Sequence, residues 1–174
     1  MADAAASGSE RTAGSGRQET EEERLDRNLG ELLGELRVAL PGVQVLFAFL
    51  LVVPFNARFA TLTSGQRHLY LASLLFAGVA SALLIAPAAH HRLTFRLQDK
   101  QHLVMTANRL TIAGLACLAI SMTAAICLVT DVVFDVETAV ATSVPIGLLF
   151  LALWYVMPLR RRMQQSERRR RSAV

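Results

Sequence analysis

The sequence predicts an all-α fold: an integral membrane four-helix bundle preceded by an N-terminal amphipathic (interfacial) helix. Three observations carry that expectation. Leu110 to Thr130 is a run of twenty-one residues without a charge, bracketed by Arg109 and Asp131. As a helix it would extend about 31 Å, close to the ~30 Å hydrocarbon core of a bilayer. Three further windows of the same character, about 38–55, 69–89 and 138–159, accompany it. Of the 174 residues, 53 % are hydrophobic, and charge lies almost wholly outside the windows. A soluble helix would instead interleave charge at helical period.

Residues 1–18 are rich in Ala, Ser and Gly with no apolar period, which predicts a disordered tail. No apolar segment follows a basic start before Leu40, so no secretory signal is expected. From Glu19 to Leu40 the pattern changes. Leu25, Leu29, Leu32, Leu33, Leu36 and Leu40 recur on one helical stripe. The acidic start at Glu21, Glu22 and Glu23 suits the positive end of the helix dipole, and Glu23 and Arg27 are spaced to pair at i,i+4. Such a helix before a span is expected in the membrane interface or on the mouth of the bundle. Its polar face mixes acid and base, unlike a face that binds anionic lipid. That mixture points to protein contact, with Leu25, Leu29, Leu32 and Leu36 as the candidate partner-helix face.

The transmembrane domain is expected to fill 41–159. Pro41 stands where a new helix would begin, so Pro41-Gly42 reads as the joint between the amphipathic helix and the first span. Gln44 is the strongly polar side chain of that span, and an interhelical hydrogen bond of about 0.6 kcal/mol is its expected role. In the second span Ser73, Ala77 and Ser81 stand four apart, and in the third Ala113, Cys117, Ser121 and Ala125 do the same. Small residues at that spacing let backbones approach closely, so the two stripes are candidates for helix packing. Cys117 and Cys127, about 15 Å apart along one helix, cannot pair with each other and read as small apolar packers.

His90 to Arg109 reads as a long basic connection. Its three histidines match no metal-ligand spacing, and no metal is expected. Asp131 to Glu137 is a tight acidic turn, and Arg58 and Arg67 on the same side are expected to meet its carboxylates for about 0–1 kcal/mol. In the fourth span Pro145 predicts a kink or hinge, with Thr142 and Ser143 serving the freed backbone groups. Trp154 and Tyr155 sit where an aromatic belt would place them, and 160–174 is a basic tail.

Sixteen of the eighteen basic residues fall on one side of this four-span arrangement and two, Arg58 and Arg67, on the other. By the positive-inside rule both termini are expected in the cytoplasm of a cell with a plasma (inner) membrane. No phosphate loop, zinc motif, redox Cys pair or nucleophile elbow is present, so neither an enzyme nor a cofactor is expected. The Arg-rich tail follows a span directly and reads as a topology anchor, not a nucleic-acid site. An ion-coupled carrier normally keeps an ionisable group inside the membrane, and the four windows hold no Asp, Glu, Lys or Arg. The leading expectation is a non-enzymatic membrane protein acting through contacts of its cytoplasmic face. Its expected partners are the lipid bilayer and a second copy or another membrane protein. The alternative is a small ion or proton transporter or channel that uses Gln44 and the Pro145 hinge.

Arg24-Leu25-Asp26-Arg27, Glu31-Leu32-Leu33, Glu35-Leu36-Arg37-Val38 and the run Leu40-Pro41-Gly42-Val43-Gln44-Val45-Leu46 form a recognisable series. With Pro54-Phe55, His91-Arg92 and Asn108-Arg109 it resembles a family of actinobacterial four-span membrane proteins of unknown function. The resemblance covers about 21–161. It implies an inner-membrane protein without an assigned activity, some relatives of which carry a sodium/proton antiporter label, and it brings no catalytic residues.

Overall fold

The computed structural model describes residues 20–94 and 100–171, and the predicted tail at 1–18 lies outside them. Among the described residues the fold is all helical. Helix α1 spans Glu21–Val52, α2 Ser64–Thr94, α3 Lys100–Val133, α4 Val136–Leu151 and α5 Met157–Arg171. A π-helical segment, Ala152–Val156, joins α4 to α5 without a break, so the four spans are α1, α2, α3 and the α4–α5 rod. Each is long and apolar enough to cross a membrane. The outward side chains agree: Val45, Phe49, Leu75, Ile120, Val144 and Leu148 are all exposed. Contiguous apolar surface on that scale belongs in hydrocarbon, because in water it would drive association.

Helix α1 begins at a capping box. The Thr20 hydroxyl accepts from the Glu23 backbone N–H, and the Glu23 carboxylate accepts from the Thr20 N–H. Glu23 therefore caps the helix, and Arg27 stands 3.7 Å from Glu31. The helix then runs through Pro41 without a joint, so the amphipathic segment and the first span are one rod of 32 residues, about 48 Å. This corrects the expected joint at Pro41-Gly42. The reason is visible in the packing: Leu29, Leu36, Val43 and Leu50 are all buried and stand seven apart, on both sides of Pro41. A straight helix keeps that whole line on the bundle. Burying Leu29 and Leu36, at roughly 1.5–3 kcal/mol each, offsets the ~3 kcal/mol a helical proline costs.

The same repeat governs α2 and α3. In α2 the buried positions are Tyr70, Ala77 and Leu84, with Ser73, Ala80 and Pro87 three residues behind them. In α3 Ala107, Gly114, Ser121 and Leu128 keep the repeat, and Leu118 is buried as well. A strict repeat of seven belongs to helices that cross at a shallow left-handed angle, about 20°. Helices α1, α2 and α3 thus pack mutually, and α4 lies on α3 alone among the described residues. One core cluster joins Leu36, Val43, Ala80, Leu84 and Leu118. A second joins Leu50, Tyr70, Ala77 and Leu128 near the opposite end.

The connections differ from expectation as well. Helices α2 and α3 continue to Thr94 and from Lys100, so the long polar connection shrinks to 95–99, which lies outside the described residues. The acidic turn is tight. Asp135 caps α4 by accepting from the Thr138 N–H at 2.7 Å, and this backbone hydrogen bond is the main cause that holds its carboxyl below the usual Asp range. The end of the bundle that carries this turn is called the turn end, and the opposite one the tail end.

Candidate functional site: an apolar cleft at the turn end

Between α1 and α2 the chain makes two short 3-10 turns, Val53–Phe55 and Ala57–Thr61. Pro54 is the second residue of the first, and Asn56 caps the second by accepting from the Arg58 N–H at 3.0 Å. The Thr61 hydroxyl donates to the Arg58 carbonyl at 2.7 Å. Arg67, at the start of α2, donates to the Ala60 carbonyl at 3.0 Å. Phe59 stacks edge-on against Tyr70, with ring centroids 5.2 Å apart, and the buried Tyr70 hydroxyl donates to the Leu50 carbonyl at 2.9 Å. The second turn is thereby tied to α2, and α2 to the end of α1.

The predicted loop pairing changes accordingly. Arg67 serves the backbone of its own connection, and Asp131 accepts from Gln66 Nε2 at 3.0 Å. Gln66 caps its own helix start as well, because the Thr63 N–H donates to its side-chain oxygen at 3.0 Å. One amide thus bonds the start of α2 to the end of α3. No carboxylate lies within ion-pair distance of Arg58 among the described residues.

Beside this connection, α1 and α3 part at the turn end and leave a cleft of ≈ 500 Å³. Leu50 and Leu128 are buried at its floor, and Phe49, Val52, Phe55, Val129 and Val133 form exposed walls. Asn56 and Arg58 line it too. A second groove of ≈ 560 Å³ runs along α3 and α4, past Thr123, Cys127, Ser143 and Tyr155.

The packing candidates divide. Ser73 and Ser121 face each other: each hydroxyl donates to the other residue's backbone carbonyl, at 3.0 and 2.8 Å. Ala77 is fully buried, Cys117 and Ala125 are half-buried, and Ser81 donates to the Ala77 carbonyl of its own helix. Ala113 is exposed. The close approach there belongs to Gly114, where an added Cβ would stand 2.8 Å from Leu84 Cγ. The four-residue spacing missed Gly114; the seven-residue spacing back from Ser121 finds it. On α4 the small residues Ala139, Ser143 and Gly147 line the contact with α3, and a Cβ at Gly147 would meet Thr123 Cγ2 at 3.3 Å.

Gln44 is exposed on the outer face of α1. Pro145 is exposed too, and α4 runs through it unbroken. Thr142 donates to the carbonyls of Thr138 and Ala139, and Ser143 to that of Ala139. An irregular turn lies at Ala152–Val156, where the Met157 N–H reaches back to Ala152. Pro158 follows and lacks the N–H that would serve the Trp154 carbonyl, which favours a widened turn there. That turn lets the Tyr155 hydroxyl donate across to the Ile112 carbonyl at 2.8 Å. Leu29 and Leu36 are buried and Leu25 and Leu32 half-buried, so the leucine face lies against the chain's own bundle.

Four long apolar helices with charge at their ends, and an interior closed by small side chains and mutually satisfied hydroxyls, suggest a membrane protein. Among the described residues no group of three His, Cys, Asp or Glu side chains gathers as metal ligands would. The chain belongs to a family of unknown function, DUF6328, whose sequence pattern matches residues 18–158. No curated protein and no solved structure matches it.

Proposed function

We propose that this chain is a non-enzymatic multi-pass protein of the plasma (inner) membrane, with both termini in the cytoplasm, that acts through protein contacts at its tail end. One observation carries the reading. Helix α1 continues from the first apolar window as Arg37 to Glu21, about 25 Å of further helix, with its leucines turned inward and Glu23, Arg24, Arg27, Glu31, Glu35 and Arg37 outward. The outward face mixes both signs of charge, which suits a polar protein contact and not a lipid surface. A contact through the Leu29 and Leu36 side chains would require the bundle to open, so the partner face moves to the charged side.

Transport is supported less. Gln44 and Pro145 both face outward, and the apolar windows contain no ionisable carboxylate or base to carry an ion. The test is flux: the purified chain in liposomes, under imposed proton and sodium gradients, should leak no more than empty vesicles. Flux that falls in Gln44→Leu would overturn the reading in favour of a channel or carrier. Photocrosslinkers placed at Glu31 and Glu35 in native membranes should each capture a defined protein, and silence at both positions would count against the contact.

A further inference from the structure

We propose that the cleft at the turn end holds one anionic phospholipid, an acyl chain between α1 and α3 and its phosphate on the Arg58 guanidinium. The inference rests on the chain crossing a bilayer and is independent of what the tail end contacts. The cleft opens sideways, because Phe49, Val52 and Val129 are 70 %, 64 % and 61 % exposed. In a bilayer such an opening faces acyl chains, and an apolar hollow of this kind offers water no partners. Its ≈ 500 Å³ falls within the roughly 300–1,000 Å³ of small-ligand sites.

The headgroup end is set by Arg58. It lies between the first two spans, outside both, where a phosphate would sit. Two contacts hold its backbone, the Asn56 cap on its N–H and the Thr61 hydroxyl on its carbonyl, and the Arg67 bond fixes Ala60 two residues on. Arg67 donates to Ala60 and does not line the cleft, and the nearby Asp131 accepts from Gln66, so the cation that lines the cleft is Arg58. A guanidinium matches phosphate oxygens with two parallel N–H donors.

Native mass spectrometry of the full chain in detergent, titrated with phosphatidylglycerol or phosphatidylcholine of matched chains, tests the assignment. One phosphatidylglycerol should bind about tenfold more tightly than phosphatidylcholine, because both offer a phosphate to Arg58 but the choline cation offsets that charge and is repelled by the guanidinium. Arg58→Gln should erase that preference. Val129→Trp, which fills the cleft from an exposed wall, should lower retention of both lipids, and Val133→Trp serves if that variant elutes poorly. Equal affinity for the two lipids, or a preference unchanged in Arg58→Gln, overturns the proposal. Full retention of phosphatidylglycerol in the Trp variant also overturns it, because the headgroup would then be held by surface charge alone. Release of the protein from membranes by alkaline carbonate would defeat the spanning reading itself, which separates the two failures.

Discussion

Adding one methyl group at Gly114 probes the centre of the fold. An alanine Cβ there would stand 2.8 Å from Leu84 Cγ, 2.9 Å from Leu84 Cδ2 and 3.3 Å from Leu83 Cβ. Ordinary carbon contacts are about 3.5–4.0 Å, so roughly 0.7 Å of overlap must be relieved. Leu84 cannot swing away, because it is fully buried in the cluster it shares with Leu36, Val43 and Leu118. Overpacking of this kind costs about 1–3 kcal/mol. Against it stands the helix preference of Ala over Gly, about 0.8–1.0 kcal/mol. Gly114→Ala should therefore lose about 0–2 kcal/mol. Gly42→Ala on the outer face of α1, where nothing lies within 4 Å of the new Cβ, should gain up to about 1 kcal/mol. The difference between the two variants isolates the clash and removes the propensity term. Thermal unfolding in detergent, followed by the monodisperse elution peak, should separate them by about 2–4 °C per kcal/mol at this chain length. Shortening the obstacle sharpens the test: in Leu84→Ala the further change Gly114→Ala should cost less than in wild type, with a coupling of about 0.5–3 kcal/mol. If Gly114→Ala and Gly42→Ala shift the midpoint alike, α2 and α3 do not approach as described.

Two further outcomes follow from the same packing. Ser73→Ala with Ser121→Ala removes two interhelical hydrogen bonds, about 0.6 kcal/mol each, and should leave the bundle assembled. Ser121→Leu or Ala77→Leu, at positions that are fully buried, should destabilise more than that double variant, by about 1–3 kcal/mol or more; an equal or smaller loss would mean that size is not what the seam selects. At the turn end, Asp135 has its carboxyl held below the ordinary Asp range by the Thr138 N–H. Its charged form is thus favoured in the fold, so its contribution is present above the ordinary Asp value and is lost as pH falls through the depressed one. Asp135→Asn should flatten that acid limb of the stability profile while keeping a cap, and Asp135→Ala should lower stability at neutral pH; parallel acid limbs in Asp135→Asn and wild type would refute this.

Much of this fold was legible residue by residue. The four spans follow from uninterrupted apolar length, and the tight turn at Asp135 from clustered acids between two such lengths. Ser73, Ala77 and Ser121 stand out as small residues in apolar helices. Ala113 misled because a four-residue spacing and a seven-residue spacing share Ser121 and then diverge, and only a partner helix decides between them. Pro41 misled because its local cost is read directly, whereas the leucine and valine line that overrides it needs α2 and α3 to be in place. The cleft left no signal at all: it is the gap between the ends of two helices far apart in the chain, and Arg58 gains meaning only beside it.

What the sequence determined by itself is the number of apolar spans and the sign of charge at each end, because a bilayer-length run is a property of consecutive residues. What only the tertiary structure decided is phase and neighbourhood. It turned Gln44 and Pro145 outward, Gly114 onto Leu84, α4 onto α3, and the leucine face of α1 onto its own bundle. In hydrocarbon apolar side chains are equally at home on every face of a helix, so close packing between neighbours, and not burial from water, chooses the contact.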